Sequence, residues 1–117
     1  MKILLEREEV NPDRPDDDGR TPLSHAANYG HEGVVEILLG QEDVTPDKPD
    51  NYGITPLSYA AWYGYEGVVK VLLQQKVVNP SRPNNHGQTP LMYAIELGDE
   101  RLIALLQSHQ VVAHSAI

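Results

Sequence analysis

Histidine and carboxylate are the side chains of this sequence best able to do chemistry, and their spacing argues against it. The five His are His25, His31, His86, His109 and His114. None belongs to an H-x-x-x-H pair with an intervening carboxylate, and no H-E-x-x-H, P-loop or G-x-S-x-G pattern occurs. Asp13, Asp16, Asp18 and Gly19 outline an oxygen-rich loop of the calcium type, but the bidentate Glu that would close it is not in place. The matching segment carries Asp47, Asp50, Tyr52 and Gly53, so turn chemistry explains both. A nucleophile or base needs a shielded site and a positioned partner. The residues present predict a non-enzyme with no metal and no cofactor.

The aromatic residues pose a different question. The chain has no Phe, one Trp and six Tyr. The stretch TPLSYAAWYGYEGVVKVLL at 55–73 gathers Tyr59, Trp62, Tyr63 and Tyr65. A core built from Val, Leu and Ala leaves such rings free for a partner.

Composition narrows the partner. At 117 residues and 40% hydrophobic content the chain has enough apolar sequence for one modest core. A net charge of −8 opposes binding to phosphate backbones, which excludes nucleic acid. The charge runs from an acidic start, with seven acids against Arg7 and Arg14 in 6–19, to Lys76 and Arg82 with no acid in 74–87. Such a gradient suits a solvated surface, or one that orients a basic partner. Zero Cys and the absence of a signal-like or membrane-length apolar run predict an intracellular, cytoplasmic protein without a membrane association.

The elements that must position these residues repeat with a period of 34: Thr21-Pro22-Leu23, Thr55-Pro56-Leu57 and Thr89-Pro90-Leu91, with Gly19, Gly53, Gly87 and Gly30, Gly64, Gly98 in step. Residues 2–19 align without gaps on 36–53. In each unit Thr caps a first helix that begins at Pro, where a missing N–H costs nothing. That helix stops at a Gly suited to a left-handed C-terminus. In the middle unit a second helix follows from about Tyr65 to Leu73, with Val68, Val69, Leu72 and Leu73 on one face. A run rich in Pro, Asp and Asn then projects as a hairpin-like finger. Helices this short need stacking between units to persist.

The pattern G-x-TPL-x-x-A-x-x-x-G with Leu-Leu following resembles the ankyrin repeat over essentially the whole chain. The Pro-rich fingers are similar to ankyrin arrays of fungal nucleotide-binding receptors. The resemblance implies an all-α fold: an ankyrin-repeat solenoid of stacked helix-turn-helix units with projecting loops. It divides 1–117 into a partial repeat at 1–18 and repeats at 19–52, 53–86 and 87–117, the last a C-terminal cap. The family's His after TPL is replaced by Ser24, Ser58 and Met92, so the start of the first helix must be satisfied in another way.

The resemblance also implies a protein-recognition module. The positions that vary between units match those lining the family's concave side, and they nominate Tyr29, Tyr52, Ile54, Trp62, Tyr63, Tyr65, His86, Gln88 and Glu96 for partner binding. Large amphipathic aromatics suit such a role. Tyr59 and Tyr93 share one position with His25 and are expected to be packed scaffold. Because Ile3, Leu4 and Leu5 belong to a second helix without its first, the chain is expected to be cut from a longer array. The alternative function is a structural spacer or self-assembly element that associates through the uncapped N-terminal edge.

Overall fold

The structure, a computed structural model, describes residues 12–115, with side chains described through 109. The half unit around Ile3, Leu4 and Leu5, the edge it would form, and His114 with its apolar neighbours lie outside the described side chains. Among the described residues six helices follow in pairs: α1 (Pro22–Asn28) and α2 (Glu32–Leu39), α3 (Pro56–Tyr63) and α4 (Glu66–Leu73), α5 (Pro90–Leu97) and α6 (Glu100–Ser115). No strand occurs among the described residues.

Each first helix starts as its sequence dictates. Thr21, Thr55 and Thr89 are extended, and each hydroxyl accepts from the backbone N–H three residues on. A cap of this kind contributes about 1 kcal/mol. Where the family places His, Ser24 and Ser58 put a second hydroxyl 3.2 and 3.1 Å from the cap oxygen. In the last unit Met92 takes that place, and its Sδ accepts from the Thr89 N–H at 3.4 Å. This answers the question left by the missing His. At the other end Gly64 and Gly98 cap α3 and α5 with φ of 76° and 72°, the left-handed region that a side chain disfavours.

Packing joins the pairs into one stack. Within each unit the first helix lies against the second, and across units α1 packs on α3, α3 on α5, α2 on α4 and α4 on α6. The core includes Leu23, Leu57, Val35, Val68, Val69, Leu72, Leu102 and Leu106, with the small Ala27, Ala60, Ala61 and Ala94 on the first helices. Gly67 inside α4 has a comparable reason: a Cβ there would run into the Glu32 carboxylate of the preceding unit. Leaving glycine in a helix costs up to about 1 kcal/mol, and here it makes room for that side chain.

The fingers stack as well. The Asn51 N–H donates to the Asp18 carbonyl at 2.9 Å, and the Asn85 N–H to the Tyr52 carbonyl at 3.0 Å. Side-chain amides reinforce the row, with Asn51 Nδ2 on the Asp17 carbonyl at 3.2 Å and Asn85 Nδ2 on the Asn51 carbonyl at 3.1 Å. Gly19, Gly53 and Gly87 share φ 78°, but only the first two are pressed from outside. A Cβ on Gly53 would lie 2.8 Å from the Asn85 backbone nitrogen, whereas one on Gly87 would meet nothing within 4 Å.

This contrast separates backbone strain from finger stacking. Gly87→Ala should lose only the left-handed penalty of about 1–2 kcal/mol. Gly53→Ala should lose that plus the displacement of the next finger, about 1 kcal/mol or more in addition. Urea unfolding of the two variants measures the difference, and equal midpoints would mean that the fingers do not stack in solution.

Candidate partner-binding surface

The surface is built from the finger and the first helix of each unit, and one repeated clamp holds the two together. In the middle unit Asp50 Oδ1 accepts from the Tyr52 and Ile54 N–H groups, both at 2.9 Å, which folds the finger tip. Its other oxygen accepts from the Tyr59 hydroxyl on α3. Arg20 of the preceding finger joins them, donating from Nε to the Tyr59 oxygen at 3.0 Å and lying 3.6 Å from Asp50 Oδ2. The first unit substitutes His25 against Asp16 at 2.8 Å, and the last uses Tyr93, which accepts from Asn84 Nδ2 at 2.6 Å. The Asp16 carboxylate, which outlined a calcium-like loop in the sequence, accepts from the Asp18 and Arg20 N–H groups instead. The Arg20 N–H and then the His25 ring hold its acid below the usual carboxylate range.

Three of the nominated residues come together in a row. Trp62 stacks on Tyr63 at 5.9 Å and 10°, and Tyr63 on Tyr65 at 5.9 Å and 28°. On its other side Trp62 stacks on Tyr93 of the next unit at 5.1 Å and 8°. The row therefore runs Tyr65, Tyr63, Trp62, Tyr93 and crosses a joint between repeats. Trp62 is 44% exposed and Tyr63 52%, so both rings face solvent while supported from the side. Tyr65 is half-buried, its ring closing over Gly30, where a Cβ would come within 2.8 Å of the ring.

The other nominated residues sit around this row or apart from it. Tyr52 is exposed at its finger tip, while Ile54 is half-buried against the core. His86 is exposed on the last finger; Gln88 is exposed too, but its Oε1 accepts from Asn84 Nδ2 at 3.1 Å and from the Tyr93 hydroxyl at 3.2 Å. Gln88 is thus partly a support for the Tyr93 ring. Glu96 is exposed on α5 and, with Asp50, adds negative charge beside Tyr93. Tyr29 is exposed but pairs with His31 at 6.1 Å and not with the row. Tyr59 and Tyr93 are buried, as packed scaffold should be.

Sequence reasoning missed Tyr93 as the far end of the row, because its repeat position reads as scaffold and the stack forms between units. It also missed Met92 and Ile95, both about half exposed on the last unit beside the equally exposed Leu97. The signal for these was present: Ser58 and Ala61 in the middle unit give way to Met92 and Ile95 at the same positions. An open groove lined by Gln88, Met92, Tyr93, Ile95 and Glu96 adjoins the row at Tyr93.

The repeated helix pair, the finger clamp and the stack define a repeat solenoid of the ankyrin type. Ankyrin-repeat models match residues 1–83, as an array of three copies, and residues 86–114, as a single repeat. The chain belongs to the ankyrin repeat family. Members of that family are generally protein-interaction modules and typically non-catalytic. No curated protein is significantly similar to the chain. Among the described residues no helix is long and apolar enough to cross a membrane.

Burial and then the hydrogen bond to Asp50 push the Tyr59 phenol well above its ordinary value of 10.0, and burial does the same at Tyr93. The folded state disfavours the phenolate. The resulting stability is complete below about pH 10, where unfolded tyrosine is neutral, and is lost as pH rises beyond it. The urea midpoint should fall above about pH 10, and Tyr59→Phe should flatten that fall while lowering the stability at pH 7 by about 1–3 kcal/mol, the cost of removing the hydroxyl donor from one oxygen of buried Asp50. An unaltered alkaline fall in Tyr59→Phe would contradict the assignment.

A second prediction concerns the row. Acrylamide should quench Trp62 readily, and Tyr63→Ala should steepen the quenching by uncovering one face of the indole. An unchanged slope would show that the two rings are not stacked in solution.

Proposed function

We propose that this protein is a non-catalytic recognition module that binds a protein partner on the concave side formed by its fingers and first helices, centred on the middle repeat. One observation carries the reading: the row Tyr65, Tyr63, Trp62, Tyr93 holds two large rings half in solvent although smaller residues are available for a surface. Rings already immobilised by stacking lose little side-chain entropy when a partner covers them, and aromatics of this kind dominate binding energies. Tyr29, Tyr52, Ile54, His86, Gln88 and Glu96 would extend the contact around this centre. Glu96 and the finger acids suit a partner segment that places Lys or Arg beside an apolar anchor.

The buried polar groups support the non-catalytic part of the reading. Thr21, Thr55 and Asp50 are occupied in caps and finger clamps, and Asn84 likewise. Their chemistry is spent on folding the repeat. An intracellular setting is consistent with a fold that uses no Cys.

A random peptide library displayed on phage provides the test. Peptides enriched on the wild-type chain should carry an aromatic or aliphatic anchor next to a basic residue. Their affinity should drop about 30-fold or more, equivalent to about 2 kcal/mol, for the Trp62→Ala, Tyr63→Ala double variant, which should keep its unfolding transition. Enriched peptides that bind the double variant as well as the wild type would sink the proposal.

A further inference from the structure

Hydrogen bonding divides the tyrosines of the aromatic surface into two kinds. The Tyr59 hydroxyl donates to Asp50 and accepts from Arg20, and the Tyr93 hydroxyl accepts from Asn84 and donates to Gln88. Along the row the pattern reverses: the Trp62 indole N–H and the Tyr63 and Tyr65 hydroxyls donate to no group among the described residues, although stacking holds their rings in place. Three positioned donors are left on an apolar strip.

A partner segment that covers this strip must supply acceptors, because a donor buried without one weakens binding. A helical segment has its carbonyls bonded within itself. An ordinary extended segment brings as many N–H groups as carbonyls, and no strand edge occurs among the described residues to pair with them. Proline carries a carbonyl and no N–H, and a run of prolines takes the polyproline II helix, whose carbonyls make no internal hydrogen bonds. Its apolar rings also dock well on aromatic side chains.

Length and charge agree with this match. The centroid steps of 5.9, 5.9 and 5.1 Å along the row correspond to about five or six residues of polyproline II, which rises about 3.1 Å per residue. At its Tyr93 end the row meets the groove lined by Gln88, Met92, Ile95 and Glu96. Met92 is 51% and Ile95 55% exposed, so the aliphatic stem of an arginine or lysine can lie along them while its cationic head takes the exposed Glu96 carboxylate.

We propose that the partner segment is a polyproline II run lying on Tyr65, Tyr63, Trp62 and Tyr93, with its carbonyls on the donors of the row and an Arg or Lys beyond Tyr93 against Glu96. The inference rests on the reading of the aromatic row as the partner surface, and adds to it the backbone conformation of what binds there.

Fluorescence anisotropy with labelled synthetic peptides tests this on the full chain. The probe is octaproline with one terminal arginine, made with the arginine at either end so that both chain directions are offered. One of the two should bind at least about tenfold more tightly than the same peptide with alanine in place of every proline. Tyr63→Phe combined with Tyr65→Phe, which keeps the rings and removes both hydroxyls, should weaken that binding about fivefold or more. Glu96→Gln should weaken the arginine-bearing peptide and leave octaproline without arginine unaffected. Circular dichroism confirms that each variant is folded. Proline peptides that bind no better than the alanine control up to about millimolar concentration overturn the proposal. So does binding that is untouched by loss of both hydroxyls or of the Glu96 charge. The phage selection separates this result from failure of the site itself: proline-free peptides that lose affinity in the Trp62→Ala, Tyr63→Ala double variant would remove the polyproline II assignment and leave the site standing. Proline peptides that bind the double variant undiminished would place their contact elsewhere and overturn the proposal as well.

Discussion

Helices of seven or eight residues do not persist in water on their own, so every feature of this molecule depends on how closely one repeat approaches the next. That approach is set by small residues. Ala27 and Ala61 let the following first helix lie directly on the preceding one, and Gly67 leaves room for Glu32. The large aliphatic residues then close the space between first and second helices. Stability is shared between neighbours and not held within any single pair.

The same dependence shapes the polar chemistry. A buried carboxylate at Asp50 is tolerated because it accepts from two backbone N–H groups and a tyrosine hydroxyl, with a guanidinium beside it. The network draws on two repeats, since Arg20 comes from the finger before. The last unit solves the same problem without charge through Asn84, Tyr93 and Gln88, where the finger before it carries Ile54 at the position of Arg20. The clamp explains why the ring at this position is inside the fold while the ring three residues later is outside it.

Exposed aromatics acquire meaning from that division. Trp62 and Tyr63 end α3 with their rings about half exposed, and Tyr93, fixed by its own clamp, gives the Trp62 ring a flat support. A repeat scaffold thus turns a local accident of composition into a preorganised surface, with the rigid parts inside and the variable ones out.

Much of this was legible in the residues. The 34-residue period, the Thr-Pro starts, the Gly stops and the apolar face of Val68, Val69, Leu72 and Leu73 follow from local rules about capping, backbone freedom and helical spacing, which act within one unit and need no knowledge of its neighbours. The residues also marked Tyr59 and Tyr93 as packed by their equivalence to each other. What lay beyond them was everything that crosses a joint. The stacking of Trp62 on Tyr93, the closure of Tyr65 over Gly30, the reach of Arg20 to Asp50 and the exposure of Met92 and Ile95 depend on the distance and rotation between repeats, and these are decided by packing among residues far apart in the chain. Local propensity determines each unit; only the tertiary stack determines which side of it remains in water.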